Sequence, residues 1–392
     1  MAEATQKMDP ADLTALGAAL SADEILVQRT VRAFVDERVL PSIESWFENG
    51  IFPRELVAEL GRLGVLGMHL QGYGCAGAGA VSYGLACLEL EAGDSGFRSF
   101  VSVQGSLAMF PIWKYGSEEQ KRRFLPPMAA GDMVGCFGLT EPDVGSDPAS
   151  MRSRARREGR DWVLDGRKRW VTNGSIADVA VIWAQTEEGI RGFLVPRGTR
   201  GFSAAEIRGK LSLRASVSSE VTLDSCRLPD ENVLPGVAGL RGPLSCLNEA
   251  RYGIVWGALG AARACYETAL SYALKREQFG KPVASFQLTQ AKLADMAVEL
   301  EKGLLLAYHL GRLKEAGTLT PDQVSVGKLN STREALEIAR SARTILGANG
   351  VTLDYPVMRH AANLESVLTY EGTAEVHQLT IGRAVTGLSA FS

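Results

Sequence analysis

The spacing of apolar residues changes twice along this chain of 392 residues, near residue 135 and again near residue 240. Before the first change apolar residues recur at helical intervals, as at Ile25 and Val31, and after the second change the helical period returns. Between the two changes, short runs rich in β-branched residues alternate with turn residues, which is typical of strands. This order predicts an α+β fold, mainly α, with three parts: an N-terminal helical domain (1–134), a middle β-barrel-like domain (135–239) and a C-terminal four-helix bundle domain (240–392).

Glycine, aspartate and asparagine mark the predicted breaks within these regions. Residues 93–96 (GDSG) interrupt a helical stretch, and Asp94 or Ser95 is suited to cap the helix that follows. Asp165 and Gly166, inside GRDWVLDGRKRWVTNG (159–174), predict a hairpin turn between two strands. Asn349 and Gly350 predict the end of the third helix of the bundle.

Composition narrows the class of protein. The formal net charge is −3 and basic residues are dispersed, so neither a nucleic-acid-binding face nor a polybasic membrane patch is expected. Apolar runs are short and interrupted by charge, the six cysteines form no C-x-x-C pair, and the four histidines are scattered. These patterns predict no membrane span and no metal site. The N-terminal MAEATQKMDPADLTALG lacks the apolar core of a signal peptide, so a cytoplasmic location is expected.

Two segments of the middle region carry residues that suit a ligand, and each also has a plain structural interpretation. The turn-rich loop 135–151 offers backbone N–H groups beside the hydroxyls of Thr140 and Ser146, or it simply leads from a helix into the sheet. Trp170 and Thr172 share one face of a predicted strand, which suits a flat heterocycle or an ordinary sheet core. Each segment alone leaves both interpretations open.

Two further segments carry charged residues. In KREQFGKPVASFQ (275–287), Arg276 is suited to bind a phosphate, or it belongs to a solvated helix end. In ELEAGDSGFRSFVS (89–102), Arg98 is suited to fork onto a ligand carboxylate, or it forms a surface ion pair with Glu91. Both interpretations again stay open for each segment.

The stretch LTYEGTAEVHQLTIGRAVTG (368–387) predicts a short loop that enters the last helix. Thr373 suits the N-cap of that helix and Glu375 lies in its first turn. Glu371 stands between an aromatic residue and a glycine just before the helix. It is either an ordinary acidic residue near a helix start or a placed base.

All these segments occur together and in one order, as FGLTEPDVGSDP, WVTNG, REQFGKPV, LGANGV and TYEGTAEVHQLTIGRAVTG. From about residue 20 to the C-terminus the chain resembles the acyl-CoA dehydrogenase family, whose fold has the same three-part order. Within that family it is most similar to the glutaryl-CoA dehydrogenases, through DSGFRSFVSVQGSLAM, SLRAS, GPLSCLNEARYGIVWG and MRHAANLESVLTYEGT.

The resemblance implies a set of site residues. Glu371 would be the catalytic base, with Tyr370 beside it, and FAD the cofactor. The implied substrate contacts are Glu91, Arg98, Ser99, Ser102, Ser146, Leu244, Leu247, Asn248, Arg251 and Gly372. The implied flavin contacts are Phe137, Leu139, Thr140, Gly145, Ser146, Trp170, Val171, Thr172, Arg276, Gln278, Phe279, Gln287, Thr344, Gly347, Thr373, Glu375 and Phe391. Arg276 and Gln287 would reach the cofactor of a neighbouring subunit in a homotetramer. Ala348 departs from the family, which commonly has a glycine there.

The resemblance also implies a reaction. In the family, the N–H of the base residue and a flavin ribityl hydroxyl bind the thioester oxygen, while the base takes the α-proton and the flavin takes a hydride. In glutaryl-CoA dehydrogenases an arginine at the position of Arg98 receives the distal carboxylate, with a glutamate seven residues before it and a serine four residues after it. The expected reaction is oxidative decarboxylation of glutaryl-CoA to crotonyl-CoA and CO2, with an electron-transfer flavoprotein as acceptor. The open alternatives are dehydrogenation of another short-chain or carboxylated acyl thioester without decarboxylation, and a flavin-free binding protein.

Overall fold

Helices form the part of the chain that precedes the sheet in the computed structural model, which describes residues 9–10 and 12–390. They are α1 (Ala22–Phe34), α2 (Ile43–Asn49), α3 (Val57–Arg62), α4 (Ala80–Gly93), α5 (Ser95–Ser102), α6 (Phe110–Tyr115) and α7 (Glu118–Ala130). Two π-helical segments, Val35–Val39 and Val103–Met109, continue α1 and α5.

Helices also form the part that follows the sheet. They are α8 (Arg241–Lys275), α9 (Gln287–Glu315), α10 (Pro321–Leu346), α11 (Val357–Thr369) and α12 (Ala374–Thr386). The third of them ends at Leu346 rather than at Asn349, because Gly347 leaves the helix with a φ of 59°. The 3-10 turn Gly347–Val351 then contains Asn349 and Gly350. Helix α11 is additional to the four predicted helices and packs on α10.

The helices before and after the sheet share one hydrophobic core. Side chains of α1, α4, α8, α9, α10 and α11 belong to a single cluster of buried residues, with Trp256 of α8 among the largest. Long helix–helix contacts of this kind bury most of the apolar surface that stabilises the fold. The domain boundaries at 134/135 and 239/240 stay a prediction.

Seven strands form the middle sheet. They are β1 (Gly135–Gly138), β2 (Arg154–Glu158), β3 (Asp161–Thr172), β4 (Val179–Thr186), β5 (Gly189–Pro196), β6 (Phe202–Glu206) and β7 (Ser218–Pro229). The order is β1-β4-β2-β3-β7-β6, with β5 also paired to β4; β1 lies parallel to β4, whereas most other pairs are antiparallel. Along β4, Val181 and Trp183 face the helices while Ala180 and Ile182 belong to the core on the other face, as strand alternation requires. The predicted fold class is confirmed.

The hairpin predicted at Asp165 and Gly166 is wrong. Strand β3 runs through both residues, and the turn lies earlier, at Gly159 and Arg160, between β2 and β3. Gly166 has a φ of 150° at a bulge in the pairing of β3 with β7, and a Cβ atom there would lie 2.3 Å from Oγ of Ser153. The glycine therefore permits a close approach inside a strand rather than a turn.

The predicted break between α4 and α5 is confirmed and is anchored from both sides. Asp94 is extended there, and its carboxylate accepts a hydrogen bond from the N–H of Gly96 at 2.8 Å. The same carboxylate accepts hydrogen bonds from Arg359 at 2.6 Å and Asn363 at 2.9 Å, both on α11. The start of α5 is thus fixed to the helix that leads into residues 370–372.

Two features are absent from the described residues. None of the described helices is both long and apolar enough to cross a membrane. The described part of the chain has no group of three or more His, Cys, Asp or Glu side chains arranged to hold a metal ion.

Candidate active site

Residues 370–372 between α11 and α12, called the catalytic loop because Glu371 is the predicted base, have an unusual backbone. Tyr370 is extended, whereas Glu371 and Gly372 have φ angles of 55° and 106°, in the left-handed region that favours glycine. A Cβ atom at Gly372 would lie 2.8 Å from Nε2 of His377, so the space also requires glycine. Thr373 caps α12 as predicted, through its side-chain oxygen. A non-glycine residue such as Glu371 at positive φ is strained, and such strain is typical of functional sites.

Glu371 stands at the centre of the catalytic loop and is partly buried. Its Oε2 atom is buried and has no hydrogen-bond partner among the described residues, while its main-chain carbonyl accepts a hydrogen bond from Nε of Arg251 at 2.6 Å. Burial raises the pKa of Glu371, and the positive charges of Arg98, Lys328 and Arg251 offset only part of that shift. A carboxylate with a raised pKa is suited to take a proton from a weak carbon acid.

Lys328 of α10, which sequence reasoning missed, lies behind the catalytic loop. Its side chain is 0% exposed, and its ammonium group donates hydrogen bonds to the carbonyl oxygens of Tyr370 and, at 2.6 Å, of Gly372. Burial lowers the pKa of Lys328 to about 7. The sequence contained a signal that Lys328 is buried, because it lies four residues from both Val324 and Thr332 and so shares their helix face. A charged residue on a buried helix face needs polar partners.

Arg98 and Glu91 form a buried ion pair beside the loop. Nε of Arg98 lies 2.6 Å from Oε2 of Glu91, and the side chains are 1% and 0% exposed. The guanidinium group also donates to the hydroxyl of Tyr370 and lies over its ring, with 5.7 Å between Cζ and the ring centroid. Gly257 of α8 makes room for the pair, since a Cβ atom there would lie 2.1 Å from Oε2 of Glu91. The alternative of a surface ion pair is therefore wrong.

Several buried polar atoms near this pair lack a partner. In the described structure these are Oε1 of Glu91, Oγ of Ser102 and, in the loop, Oε2 of Glu371. Burial raises the pKa of Glu91, and the hydrogen-bonded charge of Arg98 only partly opposes the shift. Buried polar atoms without partners cost free energy, so this arrangement suits a polar ligand that satisfies them.

The other predicted substrate contacts lie on α5, α8 and the loop after β1. Ser99 is buried on α5, and Asn248 accepts a hydrogen bond from Arg251 at 3.2 Å. Leu244 and Leu247 lie seven and four residues before Arg251, on the same helix face. Ser146 lies on the exposed loop before β2. The structure thus brings Arg98, Glu91, Tyr370 and Arg251 into contact with one another or with the loop, while Ser146 is exposed on the loop after β1.

The residues predicted to hold the flavin ring come from two neighbouring segments. The N–H of Arg169 donates to the carbonyl of Thr140 at 2.8 Å, which joins the loop after β1 to the strand that carries Trp170. Beneath them, the buried Lys168 donates to Glu141 at 2.9 Å and to the carbonyl of Leu139 at 3.1 Å. The carboxylate of Glu141 accepts two further backbone N–H groups from the end of the loop. This ion pair, also missed by sequence reasoning, fixes the loop to the sheet.

The surface above this ion pair fits a planar ring. Trp170 has a φ of 60° and leaves its indole 56% exposed, an unusual exposure for so large an aromatic side chain. Thr172 is half-buried two residues further on, whereas Phe137 and Val171 are buried. A Cβ atom at Gly145 would meet no atom within 4 Å, so the loop leaves open space at this glycine.

A third group of predicted cofactor residues lies elsewhere on the surface. Arg276, Gln278, Phe279 and Gln287 are exposed around the short hairpin of β8 (Glu277–Gln278) and β9 (Lys281–Pro282). Phe279 is 94% exposed, and Arg276 lines an open groove with Tyr272 and Tyr355.

The remaining predicted cofactor residues mark helix ends. Thr344 and Gly347 are exposed where α10 ends, and Glu375 is exposed in the first turn of α12. Ala348 is likewise exposed, in the turn after α10. Phe391 lies outside the described residues.

Three family models match consecutive parts of the chain. They are the acyl-CoA dehydrogenase N-terminal domain over residues 21–132, the middle domain over 136–226 and the C-terminal domain over 238–386. The chain therefore belongs to the acyl-CoA dehydrogenase family, and the predicted family is confirmed.

Two solved structures and one sequence relative are similar to this chain over nearly its whole length. A glutaryl-CoA dehydrogenase from Mycobacterium smegmatis is 65% identical with a TM-score of 0.97, over 98% of this chain and 100% of that one. A second such structure, in complex with FADH2, is 63% identical with a TM-score of 0.98, over 98% and 100% of the two chains. The human mitochondrial short-chain specific acyl-CoA dehydrogenase is 35% identical over 91% of this chain and 88% of its own length.

Proposed function

We propose that this protein catalyses the FAD-dependent oxidative decarboxylation of glutaryl-CoA to crotonyl-CoA and CO2. The observation that carries the proposal is the buried Arg98, which contacts Glu91 and the hydroxyl of Tyr370, the residue before the candidate base. A buried arginine within reach of a catalytic loop is suited to bind a carboxylate that is otherwise costly to bury.

The charges around the loop favour an anionic acyl chain. Three cationic side chains act on Glu371, those of Arg98, Lys328 and Arg251. The carboxylate of Glu91 acts on it in the opposite sense. The distal carboxylate of a glutaryl chain adds an opposite charge to this group of cations, whereas a butyryl chain adds none.

FAD is the cofactor that the exposed indole of Trp170 and the open space at Gly145 fit, with Thr140 and Thr172 as hydrogen-bonding side chains. When bound, FAD supplies the acceptor for the hydride that leaves the β-carbon of the substrate. The two electrons of that hydride leave the enzyme for an electron-transfer flavoprotein. The structural relative in complex with FADH2 supports this assignment.

Glu371 is the group that moves protons in this proposal. Its carboxylate takes the α-proton, and the N–H of the same residue donates a hydrogen bond to the thioester oxygen, where negative charge develops. After the β-hydride has left, the carboxylate bound by Arg98 is attached to the γ-carbon. The new double bond between the α- and β-carbons connects that carbon to the thioester by conjugation. When CO2 leaves, the electron pair of the broken carbon–carbon bond stays with the acyl chain as a dienolate, which the thioester stabilises by delocalisation. The proton held by Glu371 then returns to the γ-carbon and gives crotonyl-CoA.

A second candidate is α,β-dehydrogenation of a short-chain or another carboxylated acyl thioester without loss of CO2. It is favoured by the similarity to the short-chain specific enzyme, which extends over 91% of this chain. The two candidates share Glu371 and FAD and differ in the use of Arg98.

The deciding experiment supplies the purified flavoprotein with glutaryl-CoA and an artificial electron acceptor and measures crotonyl-CoA, glutaconyl-CoA and CO2. The proposal expects one CO2 for each crotonyl-CoA formed. Butyryl-CoA serves as the matched substrate without the carboxylate. Accumulation of glutaconyl-CoA, or a higher kcat/KM for butyryl-CoA, contradicts the proposal.

We also propose a homotetramer in the cytoplasm. The proposal draws on Phe279, which is 94% exposed at a hairpin tip beside the exposed Arg276. A large apolar side chain at such a position is typical of an interface. Light scattering of the purified protein tests the assembly, and a monomer that binds FAD fully contradicts it.

A further inference from the structure

Lys328 is a buried charge that takes part in no proton-transfer or bond-breaking step of the proposed reaction. It lies on α10 with 0% exposure, and no carboxylate of the described residues forms a hydrogen bond with its ammonium group. The acceptors are instead two carbonyl oxygens of the catalytic loop, those of Tyr370 and Gly372. Burying a cation is costly, so its retention at this position calls for a role that a neutral side chain fills less well.

The peptide unit between Tyr370 and Glu371 links this lysine to the reacting centre. No peptide of the described chain is cis, so the carbonyl of Tyr370 and the N–H of Glu371 lie in one plane and are directed to opposite sides. On one side, the ammonium group of Lys328 donates a hydrogen bond to the carbonyl oxygen of Tyr370. On the other side, no acceptor within residues 9–10 and 12–390 engages the N–H of Glu371.

We propose that Lys328 is a positioning residue that fixes and polarises this peptide so that the N–H of Glu371 binds the thioester oxygen as negative charge develops on it. The inference rests on the proposed function for the identity of that donor. A cation bound to the carbonyl draws electron density from the amide and strengthens its N–H as a donor. The donor is also held before the substrate arrives, which is how oxyanion sites lower a barrier.

Arg251 completes the anchoring of the loop. It donates to the carbonyl of Glu371 at 2.6 Å, so three consecutive carbonyl oxygens, those of residues 370, 371 and 372, accept hydrogen bonds from the buried Lys328 and the half-buried Arg251. These contacts hold Glu371 at its φ of 55°, a conformation that a non-glycine residue does not keep without support.

The charged and titratable groups around Lys328 come from four elements. Glu371 of the loop is the opposite charge and favours the protonated lysine, whereas Arg251 of α8 and Arg98 of α5 disfavour it. His377 of α12 is kept neutral, because burial and the neighbouring cations lower its pKa to about 3. Of these groups, Lys328 is the one that donates a hydrogen bond to the carbonyl of Tyr370.

The test measures stabilisation of an enolate directly. Acetoacetyl-CoA carries no distal carboxylate, and its enolate places negative charge on the thioester oxygen. The apparent pKa of the bound ligand is read from the enolate absorbance across a pH series in the wild-type holoenzyme, Lys328→Met, Lys328→Gln and Lys302→Met. Lys302 is the matched control, an exposed lysine of α9 paired with Glu299.

We expect Lys328→Met to raise the bound-ligand pKa by about one unit or more, which is a tenfold loss of enolate stabilisation. We expect kcat with the acyl-CoA substrate to fall about 100-fold, as after loss of an oxyanion donor, with a much smaller change in KM. Lys328→Gln keeps a donor without the charge and should lie between wild type and Lys328→Met. Lys302→Met should match wild type.

An unchanged ligand pKa in whichever Lys328 variant folds overturns the inference. So does failure of both variants to fold, because Lys328 would then serve the fold itself. Failure of the wild-type enzyme to ionise acetoacetyl-CoA is a separate outcome, which removes the proposed use of Glu371. Loss of glutaryl-CoA specificity or of CO2 release leaves this measurement unaffected.

Discussion

Arg98 and Glu91 lie seven residues apart on two different helices, yet Nε of one is 2.6 Å from Oε2 of the other. The break at Asp94 makes this possible, because it turns α5 back against the end of α4. The pair is nearly inaccessible to solvent, so its charges interact more strongly than those of a surface pair. Arg98 thereby reaches the catalytic loop already oriented by a carboxylate.

Replacing Arg98 with Met should separate the two candidate functions. We expect kcat/KM for glutaryl-CoA to fall about 100-fold or more, because the distal carboxylate loses its buried cation. For butyryl-CoA we expect a loss below about tenfold, since that chain has no carboxylate to bind. Steady-state kinetics with both substrates provide the measurement.

Arg340→Met is the matched control for Arg98→Met, because Arg340 is an exposed arginine of α10 paired with Glu337 and Glu365. It should leave both kcat/KM values unchanged. Equal losses for glutaryl-CoA and butyryl-CoA in Arg98→Met contradict a role for Arg98 in substrate choice.

Glu371→Gln should abolish turnover while leaving the fold and the flavin in place. The amide cannot take the α-proton, and a placed base contributes about 10² to 10⁴ in rate. We expect kcat to fall within or beyond that range, measured by bleaching of the flavin absorbance after anaerobic mixing with substrate. Glu365→Gln, at an exposed carboxylate six residues earlier, should bleach at the wild-type rate. Rapid flavin reduction in Glu371→Gln would assign the base to another residue.

The pH dependence of kcat/KM should report on the same carboxylate. Burial raises the pKa of Glu371, so the group stays protonated to a higher pH than an exposed glutamate. Only the ionised form takes a proton, and kcat/KM should therefore rise with pH through that raised pKa. Lys328 opposes the shift through its positive charge, so Lys328→Met should move the acidic limb to still higher pH. A limb that does not move, or that moves to lower pH, contradicts this electrostatic assignment.

Local sequence signals predicted some features of the site and not others. The sequence limited the cap of α5 to Asp94 or Ser95, because both residue types are typical N-caps and they lie together between two glycines. The structure shows that Asp94 is the cap. Glu371 was not identified by its local sequence, since a helix start explains an acidic residue equally well. The family motifs singled it out, and the structure adds a strained backbone and a buried, unpartnered oxygen.

Contacts between distant parts of the chain account for what was missed. Lys328 meets the carbonyl of Tyr370 across 42 residues, and a helical repeat cannot specify which loop a buried lysine faces. The incorrect prediction of a turn at Asp165 and Gly166 has a similar origin. Glycine serves tight turns and close approaches alike, and only the contact with Ser153, just before the neighbouring strand β2, distinguishes them.

The ion pair between Lys168 and Glu141 should be the largest polar contribution to the loop that is proposed to hold FAD. Burial alone raises the pKa of Glu141, but hydrogen bonds from Lys168 and Ser153 outweigh it and leave the pKa below its usual value. Lys168→Met leaves that carboxylate buried without its cation, which costs about 3–5 kcal/mol in the free energy of unfolding. Urea denaturation measures this loss, and flavin absorbance after gel filtration measures the bound FAD, which we expect to fall in parallel.

A double variant separates the loss of the pair from the loss of lysine packing. Adding Glu141→Gln to Lys168→Met removes the unpaired charge and keeps one of the two acceptors, because the N–H groups of Arg152 and Ser153 bind different oxygens of the carboxylate. We therefore expect the double variant to recover about 1–3 kcal/mol relative to Lys168→Met alone. Lys302→Met, at the exposed pair with Glu299, should cost less than about 1 kcal/mol. If Lys168→Met is no more destabilising than Lys302→Met, the buried pair does not hold the loop.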